Sequence, residues 1–287
     1  MRVALTRPVR WALRGGPVAL RCCLVAALAS ALIAPSAAEA RRRGDDEVDL
    51  QEWEGHITQL KRRIDRSPDN PNLYLRTAQA YATIGDTKQV LDYTRMAQDR
   101  GAHPAQAYLL LGDHYLKVHR FEKALQSFDR ALRAAPRNVG AWGKAWTALY
   151  ELRRSGKKTS VDVGMFANDL QAHGFYFPVS WRDRGQVPEE DPQEASRRTA
   201  MGYRLLDSGD MPGAIRAFRR AVDAEPTFAD AFRGLGIAHA RNKRLEKALG
   251  AYTLFTELAA PGHRDIAKIR KIILDYYEAS SRRRSGR

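Results

Sequence analysis

Apolar residues recur at helical spacing through most of the chain between residues 48 and 280. The stretch AYLLLGDHYLKVHRFEKALQSFDRALRAAP, residues 107–136, shows two such runs in succession. Its apolar positions return every three or four residues, which predicts a hairpin of two amphipathic helices. Gly112 interrupts the first run in mid-helix, where glycine costs about 1 kcal/mol relative to alanine. We therefore expect the second helix to approach the first closely at Gly112.

The pattern repeats at an interval of 34 residues. Ala78, Gly112 and Trp146 are separated by this interval, and so are Gly202 and Gly236 after an extra 22 residues. A fixed period of this length indicates stacked structural repeats. The predicted units are 71–104, 105–138, 139–172, 195–228 and 229–262. The third unit is degenerate, because Trp146 occupies the position that holds a small residue in the others.

The second unit carries the pattern in full. Its marker residues are Tyr108, Gly112, Tyr115, Ala124, Phe128, Ala131 and Pro136. This arrangement resembles the tetratricopeptide repeat (TPR) family, although Thr94 replaces the expected aromatic residue in the first unit. The resemblance implies an all-α solenoid of helical hairpins wound into a right-handed superhelix. The expected role of such an array is to bind a protein or a peptide.

The flanking segments complete the predicted organisation. Residues 48–70 are interpreted as the second helix of a truncated repeat, with an apolar face that includes Leu50 and Ile57. An amphipathic helix over 263–280 provides the polar-faced cap that a solenoid end requires. The predicted segments are a signal peptide 1–40, an N-terminal segment and capping helix 41–70, an array 71–173, an insertion 174–194, a repeat pair 195–262, a capping helix 263–280 and a basic tail 281–287.

The insertion is rich in aromatic residues and proline, and it has no helical period. Four aromatic residues lie within seven positions, namely Phe175, Tyr176, Phe177 and Trp181. Burial of each ring is worth about 1.5–3 kcal/mol, so the cluster is expected to be covered. The rings either fill the gap left by the degenerate third unit or form a partner site in the groove. A flexible hinge is the remaining alternative.

The N-terminus has the features of a secretory signal peptide. Five arginines precede an apolar run over residues 22–35, and Ala38-Glu39-Ala40 fits a cleavage site. The run is too short to span a bilayer, which needs about 20 residues. Cleavage after Ala40 would remove both cysteines, so no disulfide is expected. The sequence thus predicts export to the periplasm or the medium, with an uncleaved anchor as the alternative.

The same cleavage would lower the formal net charge from +15 to +11. Seven further positive charges lie at the two ends of the mature chain, which leaves +4 for the repeats. These residues are Arg41, Arg42, Arg43, Arg282, Arg283, Arg284 and Arg287. The helices mix both signs and show no basic stripe, so no specific nucleic-acid partner is expected. The arginine tails suggest an alternative role, which is binding to an anionic envelope polymer or a membrane surface.

Motifs for catalysis or metal binding are not found. The sequence has no phosphate-binding glycine loop, nucleophile elbow or His-Glu-x-x-His motif. His114 and His119 are five residues apart, off a common helical face, and are interpreted as surface or groove residues. We therefore expect no enzyme activity, no cofactor and no metal site.

The TPR resemblance implies a concave groove lined by the first helix of each unit. The corresponding residues are Leu75, Arg76, Gln79, Leu109, Leu110, Asp113, Lys117, Lys144, Thr147, Glu151, Tyr203, Asp207, Arg233, Ile237 and Arg241. The subfamily that clamps a carboxylate has asparagine at the positions of Gln79 and Asp113, so this clamp is not supported. The leucines suit an apolar peptide or an amphipathic helix, unless another segment of the chain already covers them. The leading hypothesis is an exported adaptor for an envelope complex.

Overall fold

Helices succeed one another through the whole described chain. A computed structural model describes residues 50–182 and 187–285, with side chains as far as residue 279, and these ranges contain twelve α-helices and no strand. The first seven helices are α1 Leu50–Arg66, α2 Pro71–Ile84, α3 Thr87–Asp99, α4 Pro104–Lys117, α5 Phe121–Ala134, α6 Val139–Arg154 and α7 Val163–Ala172. The signal peptide and Arg41–Arg43 lie outside the described residues.

The chain then passes through a single 3-10 turn before the helical hairpins resume. The turn is Val179–Trp181, and the remaining helices are α8 Pro192–Asp207, α9 Met211–Ala224, α10 Ala229–Arg241, α11 Leu245–Leu258 and α12 Ile266–Ser285. The pairs α2/α3, α4/α5, α8/α9 and α10/α11 pack most extensively. Four predicted units are therefore confirmed as helical hairpins.

Local chemistry fixes where the hairpins turn. Gly85 ends α2 in the left-handed conformation, with φ of +81°, and Gly209 follows α8 with φ of +85°. A side chain disfavours this conformation, so glycine suits both turns. Asp86 and Asp210 then cap the next helices, accepting hydrogen bonds from the N–H groups of Gln89 at 3.0 Å and of Gly213 at 2.9 Å.

Close packing at the mid-helix glycine is confirmed. A Cβ atom added to Gly112 would lie 2.6 Å from Cδ1 and 2.8 Å from Cζ of Phe128, whose ring is fully buried. The pairs Gly202/Phe218 and Gly236/Tyr252 have the same arrangement, and the two partners are sixteen residues apart in every case. The glycine in the first helix thus leaves space for an aromatic ring of the second helix to lie against the backbone of the first.

The first unit solves the same packing problem with smaller partners. Ala78 and Thr94 take the two positions, and both are buried. Threonine is shorter than an aromatic ring, so it leaves room for the alanine Cβ. Tyr93, the preceding residue, supplies the missing ring and stacks on Tyr81 with centroids 5.4 Å apart. This explains why the aromatic residue absent at position 94 does not disrupt the repeat.

The third unit has lost its second helix as a packing partner. Helix α7 contacts α6 only slightly. Aromatic residues of the insertion pack against α6 instead. The Trp146 ring lies 5.6 Å from Phe177 of the insertion and 5.6 Å from Phe232 of α10, and its Nε1–H donates to the Tyr176 carbonyl at 2.8 Å. A large ring at the position of the small residue is therefore accommodated, because no second helix packs there.

Helix α6 also packs against α11, about 110 residues further along the chain. A Cβ on Gly143 would lie 3.0 Å from the Thr253 methyl group. Nearby, a Cβ on Gly174 would lie 2.5 Å from the Glu246 carbonyl oxygen, and one on Gly250 would lie 2.5 Å from the Gly174 oxygen. One hydrophobic core consequently runs from the second unit to α12 and joins the two repeat arrays.

The end helices differ from the prediction in detail. Ile57 and Leu60 of α1 are buried against α2, whereas Leu50 is 57% exposed and does not belong to that face. Helix α12 begins at Ile266 and continues to Ser285, so part of the predicted basic tail is helical. Within the described ranges, no helix is long and apolar enough to span a bilayer.

Candidate partner-binding groove

The predicted groove is open at its N-terminal end. On α2, Arg76 and Gln79 are exposed and Leu75 is half-buried. On α4, Lys117 is exposed and Leu109 is half-buried. The neighbouring first helices α2 and α4 therefore present aliphatic surface together with long polar side chains that reach solvent. Such a mixed surface can contact both the apolar and the polar face of a bound segment.

Leu110, predicted to line the groove, lies in the core instead. It is 8% exposed and lies in a core cluster with Ile57, Ala78 and Tyr81. One residue step rotates a side chain by about 100° around a helix, so Leu109 and Leu110 face different surroundings. Leu110 therefore serves the contact between α2 and α4 and is not available to a partner.

The groove narrows where it reaches α6. Asp113 of α4 forms an ion pair with Lys144 of α6, whose Nζ donates a hydrogen bond to Oδ2 at 2.6 Å. Both side chains are about one-third exposed, so solvent screens much of this pair's energy. A Cβ added to Gly143, the residue before Lys144, would lie 3.0 Å from Thr253 and 3.6 Å from Glu257 of α11. Helix α11 thus lies along the groove side of α6, while Thr147 and Glu151 further along α6 are half-buried.

In the C-terminal part of the groove, most polar side chains already form ion pairs or hydrogen bonds with other groups of the chain. Arg233 forms ion pairs with Asp230 at 3.1 Å and with Asp265, and its guanidinium lies 5.4 Å from the Tyr203 ring centroid. Tyr203 donates its hydroxyl hydrogen to the Asp230 carbonyl at 3.2 Å, and burial raises its pKa.

The remaining predicted groove residues of this array differ in exposure. Arg241 donates to the Leu206 carbonyl at 3.0 Å. Ile237 is half-buried and packs on the same core as Leu109 of the N-terminal array. Asp207 is the one residue of this set that is exposed and has no hydrogen bond or packing role among the contacts described. The C-terminal groove therefore offers fewer groups to a partner than the N-terminal one.

The aromatic residues of the insertion lie inside the protein. Phe175, Phe177 and Trp181 are buried, and the half-buried Tyr176 donates its hydroxyl hydrogen to Asp223 at 2.8 Å. Burial raises the pKa of the Asp223 carboxyl. The aromatic side chains of the insertion are therefore surrounded as core residues are, in the place of a helix, and we place no binding surface there.

His114, interpreted from the sequence as a surface or groove residue, is buried, and so is His239. His114 is 1% exposed, and its Nε2 lies 2.9 Å from the Thr87 hydroxyl oxygen. Burial, with Arg120 and Lys117 nearby, lowers its pKa. His239 is 4% exposed in the C-terminal array. Across the described residues, no group of three or more His, Cys, Asp or Glu side chains is arranged to hold a metal ion.

The sequence did not reveal a cleft at the N-terminal end of α6. Its volume is about 420 Å³, and Gly140 of α6 faces α12 across it. A second cleft of about 370 Å³ adjoins it and shares Arg137, Val139 and Tyr277. The amphipathic pattern of α12 was visible in the sequence, but its position opposite α6 depends on the long-range contact between α6 and α11.

Models of the tetratricopeptide repeat match this chain at residues 105–138 and 199–262. The first match coincides with the second unit, and the second covers most of the C-terminal pair. The chain therefore matches tetratricopeptide repeat models on both sides of the insertion. Its stacked helical hairpins have the architecture of a TPR-type solenoid.

Several solved structures are similar to the chain at low identity. YrrB, described as a TPR protein with an unusual peptide-binding site, is 20% identical over 74% of this chain and 97% of its own, with a TM-score of 0.35. MamA is 15% identical over 76% of this chain and 91% of its own, with a TM-score of 0.32. MamA 41-end from Desulfovibrio magneticus RS-1 is 16% identical over 66% and 95%, with a TM-score of 0.32. The fold is defined by the chain's own helical hairpins.

Proposed function

We propose that this chain is a non-enzymatic scaffold that holds a protein or peptide partner in the groove formed by α2 and α4. The observation that supports this most strongly is the contrast between the two ends of the groove. Arg76, Gln79 and Lys117 reach solvent at the N-terminal end, whereas Arg233 and Tyr203 engage one another and their neighbours at the C-terminal end.

The location of this activity is part of the same proposal. The basic and apolar N-terminal segment with its small-residue site supports export, so the partner is expected in the cell envelope or the medium. A repeat array without cysteine after cleavage would depend on its core alone for stability, and the continuous core from the second unit to α12 is consistent with that. The arginine tails lie outside the described side chains.

Site-specific crosslinking in the native host tests the proposal. A photoreactive amino acid replaces Gln79, and in a matched control it replaces Gln126, an exposed glutamine on the second helix α5. We expect one dominant protein to be captured from position 79 and not from position 126. That protein, once purified, should lose affinity for the double variant Arg76→Glu and Lys117→Glu. Equal capture from both positions, or unchanged affinity, would refute groove binding.

A further inference from the structure

The cleft between α6 and α12 continues the groove line of the third unit. Gly140 lies four residues before Lys144, and residues at this spacing share one face of a helix. Thr253 and Glu257 of α11 line the cleft, and a Cβ added to Gly143 would lie 3.0 and 3.6 Å from them. The cleft is therefore a composite end of the groove, with one wall from the N-terminal array and the other from the C-terminal helix.

The wall on α12 is an apolar stripe that faces the cleft. Arg270, Ile273, Leu274 and Tyr277 line it, at positions i, i+3, i+4 and i+7. This spacing is typical of a helix face that packs against another helix. Ile273 and Tyr277 are half-buried, but Leu274 is 61% exposed. No other described helix covers Leu274, so the stripe is only partly used within the chain.

The charges around the cleft favour an acidic occupant. Arg137 and Arg270 line it and are exposed, and Lys144 lies next to it. Glu257 and Asp113 are the anions in this group, and Asp113 is paired with Lys144. Three cations against two anions leave a net positive site. An added carboxylate would therefore be attracted, with a strength that solvent screening reduces at this exposed position.

We infer that the composite cleft docks an amphipathic acidic helix, whose aliphatic side chains cover Leu274 and Ile273 while its carboxylates meet Arg137 and Arg270. This inference rests on the proposed function, because it names the partner chemistry at one end of the same groove. The helix form follows from the spacing of the stripe, since helix-in-groove binding uses anchors at i, i+3, i+4 and i+7. The acidic character follows from the charge balance.

A displayed library of randomised helical peptides, selected on the full-length chain, tests the inference. We expect selected peptides to combine aliphatic residues at helical spacing with Asp or Glu. Their affinity should fall by about tenfold or more for Leu274→Asp and for Arg270→Glu, as is usual when a central anchor is lost. The matched control is Ile272→Asp, because Ile272 is also apolar and 39% exposed on α12 but does not line the cleft.

Three outcomes would overturn the inference. The first is that selected peptides bind Leu274→Asp as well as the original chain. The second is that the chain itself forms a dimer in sedimentation that Leu274→Asp dissociates. The third is binding to anionic lipid vesicles that requires Leu274. The substitution Leu274→Asp leaves the groove around position 79 unchanged. Crosslinking from position 79 in that variant therefore distinguishes a failure of the cleft from a failure of the proposed function. Circular dichroism confirms that each variant remains helical.

Discussion

The substitution Gly112→Ala sets two effects on the free energy of unfolding against each other. Alanine has a higher helix propensity than glycine, which by itself would stabilise α4 by about 1 kcal/mol. The new Cβ, however, would lie 2.6 Å from Cδ1 of Phe128, whereas ordinary contacts of this kind are 3.4–4 Å. Phe128 is fully buried and cannot turn into solvent.

The clash of the new Cβ with Phe128 should outweigh the gain in helix propensity. Overpacking a well-packed core typically costs 1–3 kcal/mol, and a clash with three atoms of one ring belongs at about 3 kcal/mol. After the gain in propensity, we expect a net destabilisation of about 2 kcal/mol. The matched control is Gly55→Ala in α1, where no atom lies within 4 Å of the added Cβ. That variant should be more stable by about 0.5–1 kcal/mol.

Urea denaturation followed by circular dichroism measures both changes. A double-mutant cycle with Phe128→Leu identifies the cause, because a smaller side chain at 128 should remove most of the penalty at 112. If Gly112→Ala stabilised the protein as Gly55→Ala does, the explanation of the repeated glycine by close packing would be wrong.

Two further predictions concern the C-terminal array and the insertion. Burial, with Arg219, Lys247 and Arg244 nearby, lowers the pKa of His239 to about 4, so the unfolded chain takes up a proton first as pH falls. The free energy of unfolding should therefore decrease by about 3 kcal/mol from pH 6.5 towards pH 4. The variant His239→Leu should lack this pH-dependent component. Leucine is chosen because it occupies the equivalent position 205 in the preceding unit. An unchanged pH profile in the variant would contradict this. Gly174→Ala should destabilise by about 3 kcal/mol or more, because φ is +90° and the added Cβ meets the Glu246 carbonyl oxygen. Gly156→Ala, with φ of +62° and open space, should cost only about 1 kcal/mol in the same urea assay.

The repeat register could be predicted because each hairpin depends on contacts within about 34 residues. The pairing of Gly112 with Phe128 is an example, since both partners recur at fixed offsets in other units. The ends of helices were also predictable where turn glycines such as Gly85 and Gly209 mark them. These local signals establish the hairpins but say nothing about contacts between distant units.

The packing of α6 on α11 could not be predicted for that reason. Gly143, Gly174 and Gly250 allow the close approach, but none of them belongs to the repeat pattern. The contact decides which part of the groove is narrowed and creates the cleft beside α12. Leu110 was misassigned because periodicity alone does not distinguish the groove face from the face that α2 covers, which is one residue away. The groove residues as a binding surface remain a prediction.

The most direct measurement of how the two arrays are joined is a disulfide crosslink between α6 and α11. In the chain carrying Cys22→Ala and Cys23→Ala, the pair Gly143→Cys and Thr253→Cys should form a disulfide on mild oxidation. A Cβ at 143 lies 3.0 Å from the Thr253 methyl group, a distance compatible with disulfide geometry after small adjustments. The control pair Gly143→Cys and Thr159→Cys uses a residue in the loop before α7. Rapid, near-complete crosslinking of the first pair alone is the predicted result. No crosslink at 143–253 would contradict the closure that narrows the groove and forms the α12 cleft.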